Sequence, residues 1–307
     1  IDSDRADHLL AIAANLSWFW IWRGRLEEGL GWLKSADALD TPPSPQARLE
    51  RAWACEQLAI HFRAGHDEIS HHANTALTIA REIGDRRTEG RMLVSWGMHV
   101  GFRDPQDALQ LIETGREICR THDDPFWAAY ATGSTALCRS FLGRHDQAAQ
   151  HLDAMARDVN LLGNPQLVAD HLARRSFVDF WRGDFDAVIE ARARIDEVVA
   201  GLTEINVRAI LVTNAAHVAI ARGQAADSLV VTDALFDRYL GDGEYQHLPG
   251  ILLGSVAALI ALDRGSEAAE RLDQMWQFPE LRATVPYRLW FRQARAVAAY
   301  SIGAIDD

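Results

Sequence analysis

A short turn returns about every forty residues, and this recurrence limits what the chain can fold into more than any other feature. Most copies read Gly, then polar residues, then Ala. The anchors are Gly24, Gly65, Arg103, Gly143, Gly183, Gly223, Gly265 and Gly303, at intervals of 41, 38, 40, 40, 40, 42 and 38 residues. The third copy lacks Gly, and Asp104-Pro105 takes over the turn. A fixed period of roughly 20–50 residues marks a chain of stacked supersecondary units, each burying its apolar face on the next.

Each interval holds two helical patterns and no alternating strand pattern. In the fourth, Asp124-Pro125 reads as an N-cap followed by proline at the first helical position, where its missing N–H is no loss. An apolar-rich stretch runs to Leu142, and Gly143 supplies the stop. His145 opens a second helix with Ala148, Ala149, Leu152 and Met155 at helical spacing. Ser44-Pro45, Asp104-Pro105 and Asn164-Pro165 repeat the proline device. The first (A) helices are expected at about 4–23, 46–64, 85–101, 125–142, 165–182, 203–222, 244–263 and 284–302. The second (B) helices are expected at about 26–39, 66–84, 105–121, 145–162, 185–200, 225–240 and 266–277. Seven residues before each anchor, six of eight side chains are small, so that A can approach B closely. The fold class is all-α: a right-handed α-solenoid of about seven and a half helical hairpins forming one domain over residues 1–307. The chain begins at Ile1 and stops just past the eighth turn, so a segment cut from a longer protein is expected.

Charge and cysteine content narrow the function. With 31 basic and 43 acidic side chains the net charge is −12, and no basic stripe is present to neutralise phosphates, so direct nucleic-acid binding is not expected. The longest uncharged runs fall short of the ~20 apolar residues that span a bilayer, so no membrane partner is expected. Cys55, Cys119 and Cys138 are far apart, which points to reduced thiols and a cytoplasmic location.

The turn Phe141-Leu142-Gly143-Arg144-His145-Asp146-Gln147-Ala148 is similar to that of tetratricopeptide repeats, although the usual period there is 34. A period near 40 resembles the sensor superhelix of MalT-like bacterial regulators, STAND-class ATPases ending in a LuxR-type helix-turn-helix. The first unit carries this likeness furthest, with Trp18-Phe19-Trp20, Arg23-Gly24, Glu28-Gly29 and Trp32-Leu33. The resemblance implies the sensing part of a transcription regulator, with an upstream ATPase domain and a downstream DNA-binding domain as partners in the parent chain. The nucleotide-binding loop and DNA-reading helix of that group are absent from these residues.

No chemistry competes with this reading. There is no Gly-rich phosphate loop, no HExxH, no GxSxG and no Cys/His zinc spacing, so no catalytic residue, metal or cofactor is expected, and the chain is read as a non-enzyme. His71 and His72 are helix neighbours pointing about 100° apart, a poor chelate.

The resemblance implies that A helices line the concave face, with residues 13, 9, 6 and 2 before each anchor turned inward. These columns supply Trp18, Trp22, Glu56, Arg63, Tyr130, Arg174, Trp181 and Asn214 as candidate ligand-binding residues. The mixture suits a small polar effector with flat apolar faces, such as a sugar, and suits a peptide equally well. The columns four and eight before the anchors ought to face B helices and be apolar. In units two to five they are polar instead, which adds His99 and Arg139 to the candidates. Either the register is off by about one residue or the middle units hold an internal polar network. The clustering of Trp18, Trp20, Trp22, Trp32 and Trp53 is read as an end cap or docking face, or else as an aromatic wall for a ligand. A ligand sensor is the first functional reading. A protein-interaction scaffold is the alternative, and a plain spacer the third.

Overall fold

The computed structural model of the chain describes residues 2–38, 43–61, 66–198, 206–241, 248–276 and 285–303. Within them lie fifteen helices and no strand. The A helices are α1 (Asp2–Arg23), α3 (Pro45–His61), α5 (Arg86–Gly101), α7 (Pro125–Phe141), α9 (Pro165–Arg182), α11 (Asn206–Ala221), α13 (Leu248–Ala261) and α15 (Val285–Ser301). The B helices are α2 (Leu26–Asp37), α4 (His66–Ile83), α6 (Pro105–Thr121), α8 (His145–Leu162), α10 (Phe185–Val198), α12 (Ala225–Gly241) and α14 (Gly265–Trp276). Each helix packs on its successor in sequence, and A helices also pack on the next A helix, as in α1 on α3 and α11 on α13. The architecture is an all-α solenoid of helical hairpins.

Local chemistry sets the boundaries. The side chain of Asp104 accepts from the amides of Gln106 and Asp107, both at 3.1 Å. Asn164 accepts from Gln166 and Leu167, and Asp124 from Trp127. Each cap precedes a proline that begins the helix, so amides that would lack partners find them in the cap. Gly143, Gly183 and Gly223 close their A helices with φ of 73°, 78° and 83°, a region that residues with a Cβ enter reluctantly.

The seventh turn departs from the sequence reading. Its left-handed residue is Asp263 (φ 58°), not Gly265. Aspartate tolerates this conformation because its short side chain bonds locally. The last spacings thereby become 40 and 40, counted from Gly223 to Asp263 and on to Gly303. Gly265 instead begins α14 where α15 crosses closely, and a Cβ there would lie 2.7 Å from Ile302 Cγ2.

Several polar side chains in the columns expected to face the B helices make specific contacts. Trp20, four residues before its anchor, lies over Gly29 of its own B helix, where a Cβ would come within 2.7 Å of the indole. In the same column Arg139 donates to Gln147 on α8 (2.8 Å). Eight before the anchor, Arg175 reaches back to Asp153 on the preceding B helix (2.6 Å) and also pairs with buried Asp179 (2.8 Å). Of these pairs only Arg175–Asp179 satisfies a buried group; Arg139–Gln147 and Arg175–Asp153 lie at the surface, and Thr135 Oγ1 and Arg139 Nε are buried without a partner among the described residues.

Candidate functional site

The hollow of the solenoid is filled at one end and open at the other. At the filled end Trp18 stacks on Trp22 (6.4 Å between centroids) and meets Trp127 and Tyr130 of α7 edge-on at 5.2 and 5.5 Å. Trp53 of α3 joins Trp127 at 5.4 Å. Buried apolar side chains of α1–α3, among them Leu10, Leu33 and Leu58, fall in one cluster with Leu172, Ile195 and Leu211 of α9–α11.

Beneath the aromatic cluster runs a buried hydrogen-bond chain. Trp18 Nε1 donates to Gln57 Oε1 (2.6 Å), and Gln57 Nε2 donates to Ser95 Oγ (2.8 Å) and to the Glu56 carboxyl. Ser95 Oγ lies 3.0 and 3.1 Å from the two Glu56 oxygens. Burial pushes the Glu56 carboxyl up to about 8 against the smaller opposing effect of Ser95 and Gln57, so it is mainly protonated at neutral pH.

Next along the hollow, Arg174 is only 3% exposed. Its Nε donates to Asp170 (2.6 Å), one terminal nitrogen donates to Ser134 Oγ (3.2 Å), and its Cζ lies 4.5 Å from the centre of the Tyr130 ring. Burial alone would lower its pKa, yet Asp170 and Tyr130 hold it above the ordinary arginine value. Arg174 is thus a charge already neutralised by its own helix.

Beyond Arg174 opens a cavity of about 610 Å³ walled by successive A helices. One wall is a ladder of rings, in which Phe141 meets Phe102 and Phe177 at 5.6 and 5.7 Å and Phe177 meets Trp181 at 6.3 Å. Phe180 continues it to His217 at 5.8 Å. The other wall is aliphatic, made by Ile210, Leu253, Val256, Ile260 and Val297. Few polar groups break it: Arg174, Thr213, Asn214, His217 and Gln293. Burial lowers the pKa of His217, favouring the neutral ring.

Of the sequence candidates, Arg174, Trp181 and Asn214 line the cavity. Trp18, Trp22 and Tyr130 form the aromatic filling, and Glu56 sits in the chain beneath it. Arg63 lies outside the described residues. Arg139 bonds to Gln147 on α8 and His99 stacks on Trp96 of its own helix at 5.5 Å; neither is among the residues that line this cavity. The sequence reading missed a whole column, ten before the anchors, that places Ala173, Thr213, Leu253 and Gln293 in the wall. It lies one residue from the column of Arg174 and Asn214, and its mixed composition carried no signal of its own. Cys119 and Cys138 are buried, and burial pushes both thiols up to about 12, so neither is a nucleophile at neutral pH.

No family model matches the chain, and no curated protein matches it either. Solved structures do, in 33 chains. One is the crystal structure of a Rap protein complexed with competence and sporulation factor, 11% identical, with a TM-score of 0.53 over 97% of this chain and 99% of that one. The fold is a tetratricopeptide-like α-solenoid. The cavity wall consists of A-helix residues together with Phe102 at the end of α5.

Proposed function

We propose that this solenoid is a non-catalytic sensing module that takes a largely apolar ligand in the hollow between α7 and α15. The cavity carries the reading: about 610 Å³ falls within the ~300–1,000 Å³ of small-molecule sites, with rings, aliphatic groups and a few convergent polar atoms. A sugar fits this wall less well than the sequence suggested. Each sugar hydroxyl needs a partner, whereas most of the wall is Phe, Leu, Ile, Val and Ala, and Arg174 is already held by Asp170. The favoured ligand is amphipathic, with a flat or branched apolar body and a polar group set near Asn214, Thr213 or His217. The likeness of the first unit to MalT-like regulators supports a parent protein that is a cytoplasmic transcription regulator with an ATPase domain before this segment and a LuxR-type domain after it.

A peptide is the second reading. Trp181, 44% exposed, offers a surface on which an apolar side chain could enter, and a protein of the same fold was crystallised with competence and sporulation factor. Calorimetric titration of the 307-residue chain with amphipathic acids, sugars and short apolar peptides tests both. Saturable binding of an amphipathic compound, lost when Ala257→Trp fills the cavity without lowering the melting midpoint, is the expected result. Binding only of peptides would shift the reading to the scaffold. No binding, or binding indifferent to Ala257→Trp, overturns the cavity.

A further inference from the structure

Three polar side chains of the cavity wall are left without partners. Thr213 and His217 stand four residues apart on α11 and so share one helical face. Gln293 lines the same hollow from α15. Among the described residues, no hydrogen bond is made by the Thr213 hydroxyl, by either ring nitrogen of His217 or by the Gln293 amide. The other polar groups of the wall differ. Arg174 is held by Asp170 and Ser134, and Asn214 donates to Ser176 Oγ (3.3 Å). A neutral imidazole offers one N–H donor and one lone pair, and leaving either unmet away from water costs free energy. Burial is what moves the pKa of His217, downward, with no charged group of a neighbouring helix acting on it. Although 43 of the chain's 307 residues are acidic, none of the described residues lining the cavity is Asp or Glu. The titratable groups of the wall are Arg174 from α9 and His217 from α11, with none from α5, α7, α13 or α15.

We propose, resting on the reading that a small ligand occupies this cavity, that its polar end is a carboxylic acid seated between Thr213 and His217, and that the site takes up a proton with each carboxylate it binds. The chemistry of the two unpaired groups selects this head. An acid gives a proton to the His217 lone pair, and its second oxygen accepts from the Thr213 hydroxyl. With the proton on oxygen or on nitrogen, the pair carries no net charge, which an apolar hollow tolerates better than a lone ion. A hydroxyl has a single oxygen to serve two groups that stand one helical turn apart, whereas a carboxyl reaches each with its own oxygen. An ammonium head finds no carboxylate in the wall and meets Arg174 instead.

Calorimetric titration of the 307-residue chain with naphthaleneacetate, naphthaleneacetamide and ethylnaphthalene separates the head from the body. Buffers of different ionisation enthalpy report the protons exchanged. Naphthaleneacetate should bind near pH 7 with uptake of about half a proton or more. Its affinity should fall roughly tenfold between about pH 6.5 and about pH 8.5, because the bound pair holds a proton that the free partners have released. His217→Phe keeps a ring and removes both nitrogens. It should abolish the uptake and weaken naphthaleneacetate roughly tenfold, while ethylnaphthalene binds as before and so reports an intact cavity. His217→Gln, which keeps a hydrogen bond but does not titrate, should restore part of the affinity and none of the uptake. Three results overturn the proposal and leave the cavity reading standing: naphthaleneacetate bound without proton uptake, uptake that survives His217→Phe, or naphthaleneacetamide bound as tightly as the acid. Failure of all three compounds to bind, ethylnaphthalene included, overturns the cavity reading and this proposal with it.

Discussion

Glu56 is the residue whose chemistry departs furthest from that of a surface carboxyl. It is fully buried and has Gln57 and Ser95 as neutral hydrogen-bond partners, with burial lifting its pKa from 4.5 to about 8. A raised acid pKa means that the folded state holds a proton which the unfolded chain releases above about 4.5. Its stabilising contribution is therefore complete below about pH 4.5 and is lost progressively as pH rises toward 8, after which the loss levels off. The melting midpoint should accordingly fall between pH 5 and pH 9, for example in calorimetric scans. Glu56→Gln keeps the shape and the hydrogen bonding but cannot ionise. The variant should melt at least as high as the parent at pH 9 and show a visibly flatter pH profile. A profile identical to the parent's would mean that Glu56 is ionised in the fold.

At the scale of elements, close crossings and open turns give glycine opposite meanings. Gly115 of α6 sits against α5, and a Cβ there would lie 2.7 Å from the Gly90 carbonyl oxygen and 2.9 Å from the Val94 nitrogen. Backbone cannot move aside as a side-chain tip can, so Gly115→Ala should cost about 1–3 kcal/mol despite the better helix propensity of Ala. Gly31, within α2, has nothing within 4 Å of such a Cβ. Gly31→Ala should instead stabilise by roughly 0.5–1 kcal/mol, since it only removes freedom from the unfolded chain. Urea midpoints of the two variants, moving in opposite directions, check both. Helices of this kind were largely legible in the sequence. The Asp-Pro and Asn-Pro pairs located the starts of α6, α7 and α9, because cap and proline act through bonds made within a few residues. The seventh turn was not legible, since a Gly two residues from the true left-handed position gave a stronger signal than Asp263. The cavity wall was half legible. Periodicity places Arg174 and Asn214 on one column, but whether Arg139 faces the hollow or α8 depends on crossing geometry between helices, which a single repeat does not encode.

For the whole molecule, the aromatic filling changes what kind of solenoid this is. In a linear array each unit touches only its neighbours, and stability approximates a sum of units and adjacent interfaces. Trp18 breaks that rule. It stands in the first unit, bonds to Gln57 in the second, and packs on Phe126, Trp127 and Tyr130 in the fourth at 5.7, 5.2 and 5.5 Å. Tyr130 passes the contact to Arg174 in the fifth, which borders the cavity. Units one to five should therefore unfold as one block, not peel from the end. Replacing Trp18 removes the clasp, together with its hydrogen bond to Gln57 in the next unit. Trp18→Ala should destabilise that block by about 3–5 kcal/mol, the usual range for a packed aromatic, and should split the urea transition seen by far-UV circular dichroism into an early step and a late one. The later step should keep the midpoint of the parent, because α11 to α15 have their own buried cluster. A single transition with an unchanged slope would show that the first unit is held by its neighbours alone, and that the link from α1 to the cavity carries no stability.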